Sequence, residues 1–364
     1  MREEAILLEL AQTGNLRLLG EYRCEGGFIF DRNQRRFVNL SSNDYLGLTS
    51  RLDLQESFWR GLSGDRFLMS NPSSRLMCGN SSDYSALEGV ISSFYGAESA
   101  LVSASGFSLN SSIVRALADR DCLFLADKLV HASLNDGLLL SGSRFERFSH
   151  NDMDHLERIL SRNIGRRVVV LIESVYSMDG DLAPVDKILA LKAQYGFELV
   201  VDEAHALGVM GLKGEGLFGV DAPVDYRIGT LGKACASVGG FVVCSEARRA
   251  VLINRMRSTI FSTALPSINL LWSKFIFERL SDFTSERAHL RRLIEMVGGR
   301  SQILPVMAGS NQWALDMRDH LLDEGFWATA IRHPTVKQGS ERIRISLCAS
   351  HSKEDIDRLC KLIG

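Results

Sequence analysis

Neither sign of charge dominates this sequence. Its 42 lysines and arginines face 44 aspartates and glutamates, for a net charge of −2. That balance offers no basic field to nucleic acid or to an anionic membrane surface. Long apolar runs are missing as well, and none approaches the ~18 residues that a spanning helix requires. The opening MREEAILLEL is acidic and amphipathic, with no apolar segment behind a basic one, so no secretory signal is expected. Cysteine is sparse. The seven, at 24, 78, 122, 235, 244, 348 and 360, form no CxxC pair. This argues against a zinc site or a disulfide framework and for free thiols in a reducing, cytoplasmic setting. The run GLKGEG (211–216) has another spacing than GxGxxG, and the overlapping GEGLFG (214–219), which has that spacing, joins no strand to a helix, so a dinucleotide site is disfavoured. GxSxG and HExxH are absent too, as are repeats and low-complexity segments. What remains is a globular composition in a chain of 364 residues. That is longer than one core usually grows, and it predicts a large domain and a smaller one.

The chain is organised around residues 167–244. Val168–Ile172 ends at Glu173, Leu199–Val201 ends at Asp202, and Ile228 leads to Thr230 with Lys233 three residues on. Short β-branched runs without alternation suit strands buried on both faces of a parallel sheet. Ligands of such sheets sit just beyond the carboxyl ends of the strands. That edge would gather a carboxylate, an aspartate with His205 three residues on, and a lysine among small residues.

On either side the pattern alternates. Strands are expected at 99–103, 122–126, 144–148, 168–173, 198–202 and 241–245. Helices are expected at 107–117, 131–140, 152–162, 184–195 and 246–257. Together they describe an α/β fold, a mainly parallel sheet with helices on both faces. Before it come a helix at 3–12, a hairpin in FIFDRNQRRFVNL, a helical stretch at 51–68 and a turn-rich loop at 70–82. A further helix starts at Ser82 or Asp83 and runs to about Tyr95, with Ala86, Leu87, Val90, Ile91 and Phe94 facing inward. After Pro266 one helical stretch over 268–297 is expected. It is followed by a QILPVMA strand, a helix at 312–323, strands in WATAIRHPTV and RIRISLCA, and a helix opening at SKED. The expected division is an N-terminal segment at 1–45, a large domain at 46–268 and a small α+β domain at 269–364.

Four positions invite chemistry. Lys233 lies in GTLGKACASVGG, where small neighbours let the backbone approach a planar ligand. Lysine forms Schiff bases once its pKa is lowered. The loop is not a Walker A motif, because alanine follows the lysine. Asp202 is either a helix cap beside a satisfied histidine or a carboxylate held opposite a cationic ring nitrogen. The SASGFSLN turn (103–110) presents Gly106 at a helix start, where free N–H groups bind phosphate. His131 opens a helix, as a cap or as a flat imidazole for stacking.

Taken together, NLSSNDYLGL, SGF, DKLVHASL, SHND, ESVYSMDGDLAPV, VDEAH, GTLGKACASVGG, FSTALP and IRHPTV resemble the α-oxoamine synthases of the fold-type I pyridoxal-phosphate (PLP) enzymes. The resemblance spans nearly the whole chain. It implies a large PLP-binding domain with a mainly parallel sheet, a small C-terminal α+β domain, PLP as cofactor and no metal. It also implies Lys233 as the Schiff-base lysine, Asp202 at the pyridine nitrogen, His131 stacked on the ring and His205 near the 3′ oxygen. Ser177 is implied beside the cofactor, and Gly106, Phe107 and Thr230 on its phosphate side. Thr263 is implied to reach the cofactor of a neighbouring subunit, hence a homodimer with shared sites.

The family condenses an amino acid with an acyl thioester and releases CO₂. AIRHPTV, RFSHND and Arg17 are similar to the branch that uses L-alanine and a pimeloyl thioester on the way to biotin. In that branch Arg332 would hold a carboxylate, with Arg17 and Asn43 on the substrate side. The thioester would be carried by coenzyme A or an acyl carrier protein. Two departures stand out: NPSSR (71–75) replaces the usual GSGGSR, and Ala206 replaces a Gly or Ser. The alternatives are a sister synthase using glycine or serine, and a PLP-binding protein without catalysis.

Overall fold

The computed structural model of the chain describes residues 2–62 and 69–364. Two compact units emerge. One comprises Met1–Arg51, Met178–Gly180 and Ser285–Gly364, and the other Leu52–Ser177 and Asp181–Thr284. The first unit opens with α1 (Arg2–Gln12), which buries none of its side chains. It continues into β1 (Arg23–Glu25), β2 (Phe28–Phe30) and β3 (Arg36–Asn39), an antiparallel meander that contains the expected hairpin.

The larger unit starts with α2 (Leu52–Gly61) and α3 (Ser82–Tyr95). The expected helix over 51–68 therefore stops at Gly61, and residues 63–68 lie outside the described part of the chain. The loop before α3 contains one wide helical turn, Arg75–Gly79. The buried face of α3 is Tyr84, Leu87, Glu88, Ile91 and Tyr95, whereas Ala86 is exposed. The face is rotated because buried Glu88 serves as counter-charge to two arginines, Arg75 and Arg249, at 2.7 and 2.8 Å. A buried carboxylate must be paired, and that requirement outranks apolar periodicity.

Alternation then takes over: β4 (Ser99–Ser103), α4 (Gly106–Leu117), β5 (Leu123–Asp127), α5 (Ala132–Ser141), β6 (Arg144–Phe148), α6 (Met153–Ser161), β7 (Val168–Glu173), α7 (Val185–Tyr195) and β8 (Glu198–Asp202). After these come β9 (Tyr226–Thr230), β10 (Gly240–Cys244), α8 (Glu246–Arg255), α9 (Arg257–Phe261) and α10 (Ser267–Phe277). The strands form one seven-stranded sheet in the order β4-β10-β9-β8-β7-β5-β6. Only β10 runs against its neighbours. Every residue of β7 is buried, and the strand's side chains divide between two cores. Val169 and Leu171 pack with Leu109, Ile113 and Leu134 on one face. Val168, Val170 and Ile172 pack with Leu156, Ile159 and Ile188 on the other. Each such fully buried side chain stabilises the fold by roughly 1.5–3 kcal/mol.

The remaining elements are α11 (Thr284–Met296), β11 (Ile303–Met307), α12 (Asn311–Asp323), β12 (Phe326–Trp327), β13 (Thr329–Ile331), β14 (Arg342–Ser346) and α13 (Lys353–Ile363). The stretch expected as a single helix over 268–297 is thus two, α10 and α11. A tight turn at Leu280–Asp282 separates them, and Leu280 and Phe283 are both buried there. WATAIRHPTV supplies two short strands and then turns away. β12 extends the meander by pairing parallel with β3. β11, β14 and β13 form a separate antiparallel sheet.

Candidate active site

In the large sheet, Glu173 of β7 stands opposite Asp202 of β8, and Asp202 opposite Ile228 of β9. A cleft of about 530 Å³, partly open to solvent, lies at this carboxyl edge. Gly106, Phe107, His131, Asp202, His205, Thr230 and Lys233 all line it. So do Glu173, the carboxylate expected at this edge, and Asn110 and Ser133, which were not expected there.

A hydrogen-bonded chain crosses the floor of the cleft. Asn110 Nδ2, on α4, donates to Asp202 Oδ2 at 2.7 Å and to Ser133 Oγ at 3.0 Å. Ala204 N donates to Asp202 Oδ1 at 2.9 Å. Ser133 Oγ lies 2.7 Å from His131 Nδ1, which also accepts the Ser133 N–H as the N-cap of α5. With Nδ1 accepting, the neutral ring carries its proton on Nε2, facing the cleft. Burial lowers the His131 pKa below the usual histidine range, with Lys233 assisting and Asp202 opposing. The exposed ring of Phe107 meets His131 edge-on at 6.3 Å.

Lys233 projects from the loop after β9. Thr230 Oγ1 donates to Gly239 O at 3.1 Å and accepts from Gly232 N at 3.2 Å. Leu231 N and Ser237 N close the loop on Gly239 O and Leu231 O, both at 2.9 Å. Lys233 Nζ reaches His205 Nε2 at 2.7 Å. His205 is held by the turn after β8, where buried Glu203 pairs with Arg227 at 2.9 Å and accepts from Leu217 N and Phe218 N. Two glycines make room. A Cβ on Gly240 would lie 2.9 Å from the Gly106 backbone, and one on Gly229 would lie 2.3 Å from the Phe241 ring. The start of α4 therefore closes against the sheet only because residue 240 lacks a side chain.

Glu173 is wholly buried. Burial, with the Asp202 charge beside it, raises its pKa well above the usual carboxyl range. Its Oε2 accepts from Ser177 N at 3.1 Å. Ser177 and Thr263 are not among the residues lining the cleft. Thr263 is exposed and pairs with Ser74 in an isolated bridge.

Arg75, retained in the altered NPSSR loop, is committed to its surroundings. It bonds Glu88, Val102 O and Asn80, and it lies over the Tyr84 ring at 3.9 Å. Arg17, Asn43 and Arg332 belong to the smaller unit. There Arg17 Nη2 donates to Thr335 Oγ1 at 2.8 Å, and Arg332 Nη1 to Gly14 O. Asn43 Oδ1 accepts from Tyr45 Oη at 3.0 Å and Arg344 Nη2 at 3.3 Å. Asn110 and Ser133 carry no signal in the sequence because they lie inside separate helices, α4 and α5. Glu173, ending a buried strand opposite Asp202, carried the best signal.

The family model of aminotransferase class I and II matches residues 35–363. The chain is 41% identical to the 8-amino-7-oxononanoate synthase of Haemophilus ducreyi, over 97% of each chain. Among solved structures, serine palmitoyltransferase from S. paucimobilis, with PLP and myriocin bound, superposes with a TM-score of 0.89 at 26% identity. That match covers 100% of this chain and 96% of the other. The fold is also that of 8-amino-7-oxononanoate synthase from Francisella tularensis, with a TM-score of 0.77 at 24% identity over 90% of this chain and 96% of the other. A family match over nearly the full length, joined to a relative at this identity, means that the chain belongs to the aminotransferase class I and II family, among the relatives of 8-amino-7-oxononanoate synthase.

Proposed function

We propose that the chain is a PLP-dependent acyltransferase of biotin biosynthesis. It condenses L-alanine with a pimeloyl thioester to give 8-amino-7-oxononanoate, CO₂ and the free thiol. The observation that carries this reading is the meeting of Lys233, Asp202 and His131 in one cleft, in a chain 41% identical from end to end to a synthase of that name.

The cleft's own chemistry supports PLP. Two buried oxygens of its lining, Asn110 Oδ1 and Glu173 Oε1, have no hydrogen-bond partner in the protein. Buried polar atoms are nearly always satisfied, so the cleft suits a polar ligand. When bound, PLP supplies an aldehyde for an amino group and a ring that withdraws electrons from the α-carbon. Lys233 would hold it, Asp202 would meet its ring nitrogen and His131 would cover its face. His205 and Ser177 would stand beside it, and Thr230 with the Gly106–Phe107 helix start would take its phosphate. Lys233 Nζ, once free, takes the α-proton of alanine and returns a proton after CO₂ leaves.

For the substrates, Arg332 would pair with a carboxylate, with Arg17 and Asn43 nearby in the substrate path. Burial lowers the Arg332 pKa, and the Arg17 and Arg318 charges lower it further. An incoming anion relieves that crowding. The reading extends to a cytoplasmic homodimer with shared sites. Exposed Thr263 is then available to a partner's cofactor. All seven cysteines are free, and no described helix is long and apolar enough to cross a membrane.

The test is steady-state kinetics with L-alanine and pimeloyl thioesters of coenzyme A and of acyl carrier protein, following CO₂. Release with either donor is the expected result, and none with both overturns the reading. The superposition on serine palmitoyltransferase favours one second reading, a synthase using serine or glycine. Faster CO₂ release with those amino acids than with alanine would select it.

A further inference from the structure

One buried charge cluster outside the cleft has no part in the chemistry above. Asp127 ends β5 with its side chain wholly buried. His150, in the turn after β6, places Nδ1 2.9 Å from Asp127 Oδ1 and Nε2 2.7 Å from Asp181 Oδ2. An ionised carboxylate only accepts, so both ring nitrogens donate and the ring is an imidazolium. Its edge meets Tyr176 at 4.3 Å. The next residue, Asn151, holds the left-handed backbone conformation at φ 51°. It gives its N–H to Asp127 Oδ2 at 2.8 Å, and its side chain to Asp181 Oδ2 at 2.8 Å and Leu182 O at 3.2 Å. Leu129 N takes a further place on Asp127 at 2.8 Å.

The SHND turn thereby cross-links two segments that do not pair as strands. One is the β5–α5 turn, which runs from Asp127 to His131. The other is the excursion that leaves β7 at Glu173 and returns at Ala183. Tyr176 N donates to Asp181 O at 3.0 Å and Ala183 N to Ser174 O at 2.9 Å, which closes that excursion. The first segment delivers His131 to the cleft. The second begins at Glu173 and carries Ser177. His131 and Glu173 both line the cleft, so the two segments also meet there.

We infer that His150 is a positioning residue for the reaction proposed above: by bridging Asp127 and Asp181 it sets where His131 stands against Glu173, and hence over the ring it would cover. The inference rests on that reading for the reaction but not for the bridge itself. The chemistry favours histidine here. A flat ring fits against Tyr176 and aims its two N–H groups at carboxylates on different segments, which a lysine ammonium on a flexible stem does not do. Asp127, Asp181, Tyr176 and Asn151 are the polar groups that face it. Burial would lower its pKa, but the hydrogen bonds to Asp127 and Asp181 outweigh burial and push it up to about 10. The bridge is therefore charged at working pH.

The test uses the PLP-loaded enzyme with His150→Gln, which keeps one donor nitrogen in place of two, and His150→Phe, which keeps the flat ring and no donor. Misplacement of a catalytic group by about 1 Å costs on the order of 10²-fold in rate. His150→Phe should therefore lower kcat by roughly 10- to 100-fold with KM for alanine held within about twofold. His150→Gln should fall between it and the unaltered enzyme. The visible circular dichroism of bound PLP should change, and the His131 signals in a ¹⁵N-histidine NMR spectrum should shift. If His150→Phe loses thermal stability but keeps kcat, the dichroism and the His131 signals, the residue is structural and the inference is overturned. If His150→Phe does not fold, Asp181→Asn, which removes the negative charge at the partly exposed end of the bridge, takes its place under the same criteria. If the unaltered enzyme releases no CO₂ with any donor, the reaction reading fails. The dichroism and His131 signals still decide whether the bridge positions the cleft.

Discussion

His131 and His150 lie at the two ends of a short path along the larger unit, yet the fold treats their rings oppositely. Both are partly buried, and that burial pushes both toward the neutral form. His131 stays there. Its Nδ1 accepts from the start of α5, and burial with the like charge of Lys233 outweighs the opposing charges of Asp202 and Asp136. His150 is driven the other way because two carboxylates, one wholly buried, grip its two nitrogens. Desolvation is thus common to both sites, and the neighbouring charges decide the outcome. A neutral ring can lie over an electron-poor cofactor without adding a cation to it. A charged ring can tie two anionic segments together.

The largest expected effect breaks the His131 side of this contrast. Lys233→Ala should abolish the visible absorbance of the bound cofactor and cut turnover by ~10⁴-fold. With the ammonium gone, the His131 pKa should also rise, read by NMR titration. A variant that stayed coloured and active would refute the lysine's role. Asp127→Asn attacks the other side. Removing one partner of a buried ion pair costs about 3–5 kcal/mol, so chemical denaturation should show a loss of that size, and the His150 pKa should fall. Asp202→Asn should lower kcat by ~10²-fold. It should move the His131 pKa further down, opposite in sign to the lysine variant, because Asp202 is the charge that raises it.

The pH dependence of stability separates the two rings. The folded pKa of His150 is raised to about 10, above the ~6.5 of an unfolded histidine. Its contribution is complete below ~6.5 and is lost as pH rises through the folded value. The stability gap between the unaltered protein and His150→Gln should therefore narrow by roughly 1–2 kcal/mol between pH 6.5 and 10. His131 has the opposite sign. Its lowered folded pKa means that stability is lost as pH falls below ~6.5, where the unfolded chain binds the proton more readily. The smallest effect is Ser133→Ala, which removes one link of the Asn110–Ser133–His131 chain. A typical hydrogen bond contributes about 1 kcal/mol, so a few-fold drop in kcat is expected. No change in either rate or the His131 signals would mean that the link is idle.

Much of the large sheet was legible in the chain. Continuous apolar runs such as Val168–Ile172 and Leu123–Ala126 mark strands covered on both faces, and the polar residue that ends each run falls at the carboxyl edge. Asp202, Thr230 and Lys233 were found in that way, and His205 follows Asp202 by local spacing. The failures are equally physical. The division between α10 and α11 has no proline or glycine to announce it. It comes from the inward packing of Leu280 and Phe283. The face of α3 is set by a distant pair of arginines that claim Glu88. Asn110, Ser133 and Glu173 stand on α4, α5 and β7, and no local pattern says that three such elements converge.

By itself, then, the sequence determined which residues end the buried strands, where glycine must allow close approach, and which lysine lies among small neighbours. These are properties of local periodicity and side-chain volume. Only the tertiary structure decided which nitrogen of His131 keeps its proton, that burial beside Asp202 raises the Glu173 pKa, and that His150 sits charged between Asp127 and Asp181. Protonation depends on burial and on charges brought within hydrogen-bond reach from elsewhere in the chain. Residues 127, 150 and 181 become neighbours only when the sheet has formed.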